Sequence, residues 1–197
     1  MFTGLIEKLC VINSVSKTQS GYDIFVGADK EFVSTIKKGD SISIDGCCLT
    51  CEETEKDSFK VHALKESADK TIIQYYRKSS KVNVERAMRA DGRFGGHFVS
   101  GHVDCAGRVE HIRKKSHKTD LRISLPGKIG KYLVENDSIS VNGISLTIKS
   151  VYGNEFTLDI IPETKRATSI DELKISDFVN IEINHITKSI YEFSSRR

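Results

Sequence analysis

His102 is the side chain of this protein best suited to moving a proton near neutral pH. It closes the run Gly95-Gly96-His97-Phe98-Val99-Ser100-Gly101-His102, whose three glycines let backbone approach a bound molecule closely. Cys48 and Thr50 offer a thiol and a hydroxyl two residues apart, and Ser145 and Thr147 offer two hydroxyls at the same spacing. In a strand, residues two apart share a face. Each pair therefore presents small polar groups to one side, suited to hydrogen-bonding a flat heterocycle. The default for an isolated Ser-x-Thr is a solvated strand face, and for a lone His a surface or structural role. What raises these residues above that default is their recurrence. As a nucleophile, Cys48 would need a lowered thiol pKa. Cys47, Cys48, Cys51, His97, His102 and Cys105 have the atoms for a metal but not the spacing. Adjacent Cys47 and Cys48 point to opposite strand faces, and no pair of Cys-x-x-Cys knuckles occurs, so no metal site is expected. Cys10 and Cys51 read as small buried hydrophobes. Gly95-Gly96 matches neither phosphate-loop nor dinucleotide spacing.

The elements that must carry these groups come in two copies. Asp40-Ser41-Ile42-Ser43-Ile44-Asp45-Gly46-Cys47-Cys48-Leu49-Thr50 aligns with Asp137-Ser138-Ile139-Ser140-Val141-Asn142-Gly143-Ile144-Ser145-Leu146-Thr147, identical at seven of eleven positions. The offset is 97 and holds without a gap elsewhere: Gly4-Leu5-Ile6 with Gly101-His102-Val103, Phe59 with Phe156, Glu66-Ser67 with Glu163-Thr164, and Val82-Asn83-Val84-Glu85 with Val179-Asn180-Ile181-Glu182. A period this long is a duplicated domain, since solenoid units run to roughly 20–50 residues. The copies keep Gly and Leu-Thr but differ at Leu5/His102 and Cys48/Ser145, so two similar sites with unlike reactive groups are expected.

Each copy reads as β structure. Ser41–Ile44, Phe59/Val61/Ala63 and Phe156/Leu158/Ile160 alternate as half-buried strands do. Turn signals separate them, among them Asp45-Gly46 and Asn142-Gly143. About six short strands fit each copy, which favours a sandwich or a small closed barrel. Short helical turns are expected around Phe32–Lys37 and Ile129–Val134. Ala87–Gly96 breaks the strand rhythm and reads as the link. After Asn184 the period changes: Ile186, Ile190 and Phe193 form a helical stripe that Asn184 can cap. A helix this short is marginal alone, so the stripe is expected to pack, for instance on another subunit.

Composition bounds the function. The 197 residues carry 30 Lys plus Arg against 27 Asp plus Glu, a net +3, too even to favour nucleic acid or an anionic membrane surface. The short basic cluster Arg113-Lys114-Lys115 reads as a solvated hairpin tip. No apolar run approaches the roughly 20 residues of a membrane span. The start, Met1-Phe2-Thr3-Gly4, lacks a signal-peptide pattern, and five cysteines is an odd count. Reduced thiols in a cytoplasmic protein are expected.

Met1-Phe2-Thr3-Gly4, Asp45–Thr50, Gly95-Gly96-His97, Ser100-Gly101-His102, Asn142–Thr147 and Ile161-Pro162-Glu163-Thr164 together resemble the riboflavin synthase α-chain family, over nearly the whole chain. The resemblance implies an all-β fold of two tandem six-stranded Greek-key barrels, 1–97 and 98–184, with a C-terminal oligomerisation helix, 185–197. It implies a homotrimer, with the active site between the N-terminal barrel of one subunit and the C-terminal barrel of the next. It implies a transferase that dismutates two molecules of 6,7-dimethyl-8-ribityllumazine, without metal or organic cofactor. Riboflavin and 5-amino-6-ribitylaminouracil are the implied products. The ligand-binding stretches it implies are Gly4, Leu5 and Ile6, Cys48, Leu49 and Thr50, and His62, Ala63, Leu64, Lys65, Glu66 and Ser67 in the first barrel. In the second they are Gly101, His102 and Val103, Ser145, Leu146 and Thr147, and Ile160, Ile161, Pro162, Glu163, Thr164 and Lys165. On that basis His102 moves protons with Thr147 orienting the ring beside it, Ser41 and Cys48 are candidate nucleophile or positioning groups in the other pocket, and His97 supports the site. Two positions depart from the family: Asn184 stands where members often carry Asp, and Asn136 where a ligand-contacting Lys is expected. The alternative is a non-catalytic lumazine- or flavin-binding accessory protein on the same barrels. Cys48, His102 and a Leu-Thr in both pockets favour the enzyme. A generic oligonucleotide-binding barrel is disfavoured by the charge balance and sparse aromatics.

Overall fold

A computed structural model describes residues 1–195. The first copy runs through strands β1 (Lys8–Lys17) and β2 (Gly21–Gly27), helix α1 (Lys30–Ser34), then β3 (Ser41–Ile44), β4 (Cys47–Thr54) and β5 (Ser58–Leu64), helix α2 (Lys65–Lys70) and β6 (Lys81–Arg86). The second repeats the plan with β7 (Cys105–Lys114), β8 (Thr119–Ser124), β9 (Ser138–Val141), β10 (Ile144–Tyr152), β11 (Glu155–Ile160), helix α3 (Pro162–Ala167) and β12 (Phe178–Ile183). Helix α4 (His185–Ser194) follows. Each copy closes into an antiparallel barrel, β1-β2-β5-β4-β3-β6 and its equivalent β7-β8-β11-β10-β9-β12. The Greek-key order places β2 beside β5, and closure leaves no edge strand free to pair with another chain.

The alternation in sequence becomes the inside and outside of each barrel. Ile42 and Ile44 from β3, Leu49 and Cys51 from β4, and Phe59, Val61 and Ala63 from β5 fill the first core; Ile139, Val141, Leu146, Ile148, Phe156, Leu158 and Ile160 fill the second. Phe59 and Phe156 are fully buried at equivalent positions, and truncating either to Ala would cost about 3–5 kcal/mol. Cys10 and Cys51 lie in the core as expected.

α1 starts two residues before the expected turn because Asp29 caps it, its Oδ1 accepting from Phe32 N at 2.9 Å. The turn expected at Ile129–Val134 is a short 3-10 segment, Ile129–Tyr132. α2 and α3 were not expected. Each has six residues, too few for a periodic signal; Pro162 stands at the first turn of α3, where a missing N–H is harmless.

The barrels meet along a near-twofold axis. Asn83 Nδ2 donates to Asn142 O at 2.9 Å, and its equivalent Asn180 Nδ2 donates to Asp45 O at 2.8 Å. Asn83 Oδ1 accepts from Ser169 N and Asn180 Oδ1 from Ile72 N, both at 2.8 Å. Gly46 and Gly143 abut here; a Cβ on either would lie within 2.7 Å of the other's backbone nitrogen. Among the described residues no helix is long and apolar enough to cross a membrane.

Candidate functional site

The segment preceding each barrel is a strap that leaves its own copy. Phe2 N donates to Val99 O at 2.8 Å and Val99 N to Phe2 O at 3.2 Å. These fully buried residues are equivalents at the offset of 97, so their pairing sits on the near-twofold axis. The buried carboxylate of Glu85 then accepts from Thr3 N (2.7 Å), Thr3 Oγ1 (2.8 Å) and Gly4 N (3.0 Å). Glu182 does the same for Ser100 N (2.6 Å), Ser100 Oγ (2.7 Å) and Gly101 N (2.9 Å). Burial pushes both carboxyl pKa values up against these hydrogen bonds. Pinned there, each strap reaches the other barrel. Cys48 N donates to Gly101 O at 2.9 Å, and Ser145 N to Gly4 O at 2.8 Å. Gly4 and Gly101 have φ of +77° and +84°, and a Cβ on them would fall 2.7 Å from Ser145 Cβ and 2.4 Å from Cys48 Cβ. Only glycine fits. Ile6 then packs on the second core and Val103 on the first.

This reverses the assignment made from sequence. Gly4, Leu5 and Ile6 belong with Ser145 on the second barrel, and Gly101, His102 and Val103 with Cys48 on the first. His102 therefore stands with Cys48 rather than with Thr147, and His97 stands with Ser145. The repeat cannot reveal this, because an offset of 97 is kept whether straps stay or cross. His97 and His102 lie on the same strap, and apart from the single bridge at Val99 no strand runs between them.

The two sites have one frame and different chemistry. In the first, Cys48 is half-buried on the outer face of β4, Thr50 is exposed beside it, and Ser41 pairs with Thr50 across β3. The His102 ring is exposed, its backbone N held by Ser100 Oγ at 3.1 Å. In the second, Ser145 replaces Cys48, Thr147 pairs with Ser138, and Leu5 replaces His102. His97, which has no counterpart in the first copy, lies with Nδ1 2.7 Å from Ser145 Oγ and its backbone N donating to Thr3 O at 3.0 Å. Burial lowers its pKa, with Asp137 opposing. The other cysteines are held as thiols by burial: Cys10 is pushed up to about 11, Cys47 and Cys105 to about 12, and Cys51 upward.

The remaining expected residues divide by face. Leu49, Ala63, Leu146 and Ile160 point into the cores, leaving only their backbone to a ligand. Leu64 and Ile161, 59% and 57% exposed, stand at equivalent positions ahead of α2 and α3 as apolar rims. Ser67 and Thr164 are half-buried on those helices, and Glu66 and Pro162 are exposed. His62 is tied to Asp23 Oδ1 (2.6 Å) and Ser20 Oγ (3.2 Å), Lys65 to Asp69, Lys165 to Asp171 and Glu163 to Arg166. A cavity of about 570 Å³ beside the first strap is lined by Leu5, Ser41, Glu85 and Arg86 among others; it takes in Ser41 but neither Cys48 nor His102.

A Lumazine binding domain matches twice, at residues 3–87 and 100–184. Riboflavin synthase of Bacillus subtilis (strain 168) is 39% identical over 193 residues, 98% of this chain and 89% of that one. Riboflavin synthase of Photobacterium phosphoreum is 38% identical over 190 residues, 96% of this chain and 87% of that one. The chain belongs to the riboflavin synthase family. It is an enzyme of riboflavin biosynthesis, a transferase. Among solved structures, LumP complexed with riboflavin superposes with a TM-score of 0.86 at 20% identity, covering 93% of this chain and 99% of that one, and shares the fold.

Against the riboflavin synthase pattern, Asn184 carries no carboxylate here; its Oδ1 caps α4 by accepting from Ile186 N at 3.0 Å. Asn136 is exposed with φ +67°. Reading the sequence missed Glu85, Glu182, Asn83 and Asn180. A signal existed: in both copies an Asn and a Glu interrupt an apolar strand, Val82-Asn83-Val84-Glu85 and Val179-Asn180-Ile181-Glu182. Polar groups kept in a buried strand need partners.

Proposed function

We propose that the protein is a riboflavin synthase that dismutates two molecules of 6,7-dimethyl-8-ribityllumazine. One gives up a four-carbon unit, leaving 5-amino-6-ribitylaminouracil, and the other accepts it to become riboflavin. The observation that carries this reading is the pair of sites: one glycine strap, one Leu-Thr strand and one apolar rim in each, with His102 and Cys48 in one and Leu5, Ser145 and His97 in the other. Two identical molecules must behave differently, and unlike reactive groups in like frames would make them do so. The chemistry requires a methyl group to lose a proton and a ring to be attacked, with much of the rate from holding the rings together. In this reading His102 moves protons, Cys48 and Ser41 are the nucleophile or positioning candidates beside it, and Thr147, with Ser145 and His97, orients the second ring.

The functional division is 1–97, 98–184 and 185–197. The reacting pair forms where the N-terminal barrel of one subunit faces the C-terminal barrel of its neighbour in a homotrimer. The stripe of α4 supports this, with Ile186, Ile190 and Phe193 at 60%, 65% and 71% exposure and no packing partner among the described residues. A cytoplasmic location fits its five free thiols.

The test is direct. Pure protein is mixed with the lumazine, without metal or cofactor, and riboflavin is followed by absorbance. Tight binding without product would replace this reading with the accessory-protein one. Light scattering that found a stable, active monomer would overturn the trimer.

A further inference from the structure

A serine, a histidine and an aspartate meet on the outer face of the first barrel. β2 and β5 pair with Asp23 opposite His62. Val61 and Ala63, on either side of His62, point into the core, so the imidazole stands outside. There its Nδ1 lies 2.6 Å from Asp23 Oδ1, and its Nε2 lies 3.2 Å from Ser20 Oγ. Lys60, two residues back on the same strand face, holds the other Asp23 oxygen at 2.9 Å. Hydrogen bonds from His62 and Lys60 keep the Asp23 carboxyl below its usual range, so it is an anion that only accepts. The Nδ1 facing it therefore carries a proton. In the neutral ring that leaves Nε2 to accept from the Ser20 hydroxyl.

Ser20 sits in the turn that joins β1 to β2. Thr18 N donates to Gly21 O at 2.8 Å and Gly21 N to Thr18 Oγ1 at 3.1 Å, and Thr18 Oγ1 lies 3.3 Å from Ser20 Oγ. Lys65 N donates to Ser20 O at 2.9 Å, which fixes the turn against the start of α2. Ser20 is exposed, and the exposed Leu64 stands opposite its neighbour Gly21. The second copy has His117, Asp120 and Asp159 at these three positions. It offers no hydroxyl there, and an acid bound by Lys118 Nζ at 2.6 Å replaces the imidazole. The synthase reading gives Ser20 and Asp23 no part.

We propose that Ser20, His62 and Asp23 form a second reactive centre, a nucleophilic serine that takes acyl groups from small activated esters and thioesters and passes them to water. Nucleophile, base and orienting acid are recognised by geometry and role, whatever their order in the chain. Ser20 Oγ bonds to the acyl carbon while Nε2 takes its proton. The bond from that carbon to the leaving oxygen or sulfur breaks, and the proton passes from Nε2 to the departing group. A water then repeats the attack through Nε2, freeing the carboxylic acid and the serine. Asp23 is a positioning residue that fixes the ring and its tautomer. The centre is open to solvent, which suits donors whose leaving group departs readily, and Leu64 offers apolar surface to a short acyl chain. None of this rests on the synthase reading.

The experiment treats the full-length protein with p-nitrophenyl acetate, follows nitrophenolate by absorbance, and maps the acetylated residues by peptide mass spectrometry. Acetyl-Ser20 is expected to form and then turn over. His62→Gln is expected to slow its formation by about a hundredfold, and Asp23→Asn by about tenfold. Ser20→Ala, a change on an exposed turn, is expected to remove the fast nitrophenolate release and leave only the slow background of surface lysines. Absence of acetyl-Ser20 in the unaltered protein overturns the proposal. So does its formation at the same rate in a folded His62→Gln; should that variant not fold, an unchanged rate in Asp23→Asn overturns it instead.

Discussion

The two sites differ in where their histidines sit, and that difference separates frame from chemistry. In the first, His102 is carried out on a strap and exposed to whatever binds there. In the second, His97 is buried against Ser145, and an apolar Leu5 occupies the outward position. The frame is held by equivalent hydrogen bonds to Glu85 and Glu182, while the residues at Leu5/His102 and Cys48/Ser145 have diverged. A fold-level difference runs alongside. Asp45 is fully buried at the junction, accepting from Asn83 N and Tyr76 Oη, each at 2.8 Å. Its equivalent is Asn142, and that of Tyr76 is Leu173. A buried acid and its phenol partner were kept or lost together.

The strongest way to break the comparison is to displace one strap at a time. Gly101→Val should abolish the first site and Gly4→Val the second, because each adds a Cβ inside another side chain at a positive φ. Calorimetry with the lumazine should then count one site per chain in place of two. Turnover should fall about a thousandfold, since both rings must be held for reaction. Retention of both sites in either variant would mean the straps do not form them.

A second test addresses the junction. Burial raises the Asp45 pKa from 3.8 to about 7, outweighing its two hydrogen bonds. The unfolded chain releases this proton near 3.8 and the folded one near 7, so folded protein binds more protons between them. Stability from this group is present below about 4 and lost as pH rises to about 7. Glu85 and Glu182, also raised, act in the same direction. Asp45→Asn, which copies the second barrel, should flatten the decline in denaturant-melt stability by about 3 kcal/mol. An unchanged slope would show that Asp45 is ionised throughout.

The histidines should separate next. His102→Gln and His97→Gln are each expected to cut turnover about 10–100-fold. Only the buried His97 should also lower the melting temperature, because its loss leaves Ser145 and the packed strap unsupported. Smallest is Cys48→Ser, which makes the first site match the second at that position. Turnover should drop less than about tenfold if hydrogen bonding is the role of Cys48. A loss beyond a hundredfold would make the thiol the nucleophile.

Much of this architecture was legible in the sequence, for physical reasons. Alternation fixed the inward residues of β3, β5 and β11, because a strand face is set by a period of two. The change of period after Asn184 marked α4. Reach across the axis was not legible. Whether Gly4 sits on Cys48 or Ser145 depends on the Phe2–Val99 pairing, a contact between residues far apart in the chain. Nor was the anchoring of α4 to Asp137, whose partners Asn184 and Thr187 lie about fifty positions downstream on an element the first copy lacks.

One further consequence lies in the axis itself. Phe2 meets Val99 and Gly46 meets Gly143, each residue against its own equivalent. That is the contact a half-length chain would make with an identical copy of itself, exchanging its leading segment as domain-swapped dimers do. A one-barrel ancestor of this design would have been incomplete until it paired. Joined in one chain, the two copies need not be identical, and they differ at Leu5/His102, Cys48/Ser145 and Asp45/Asn142.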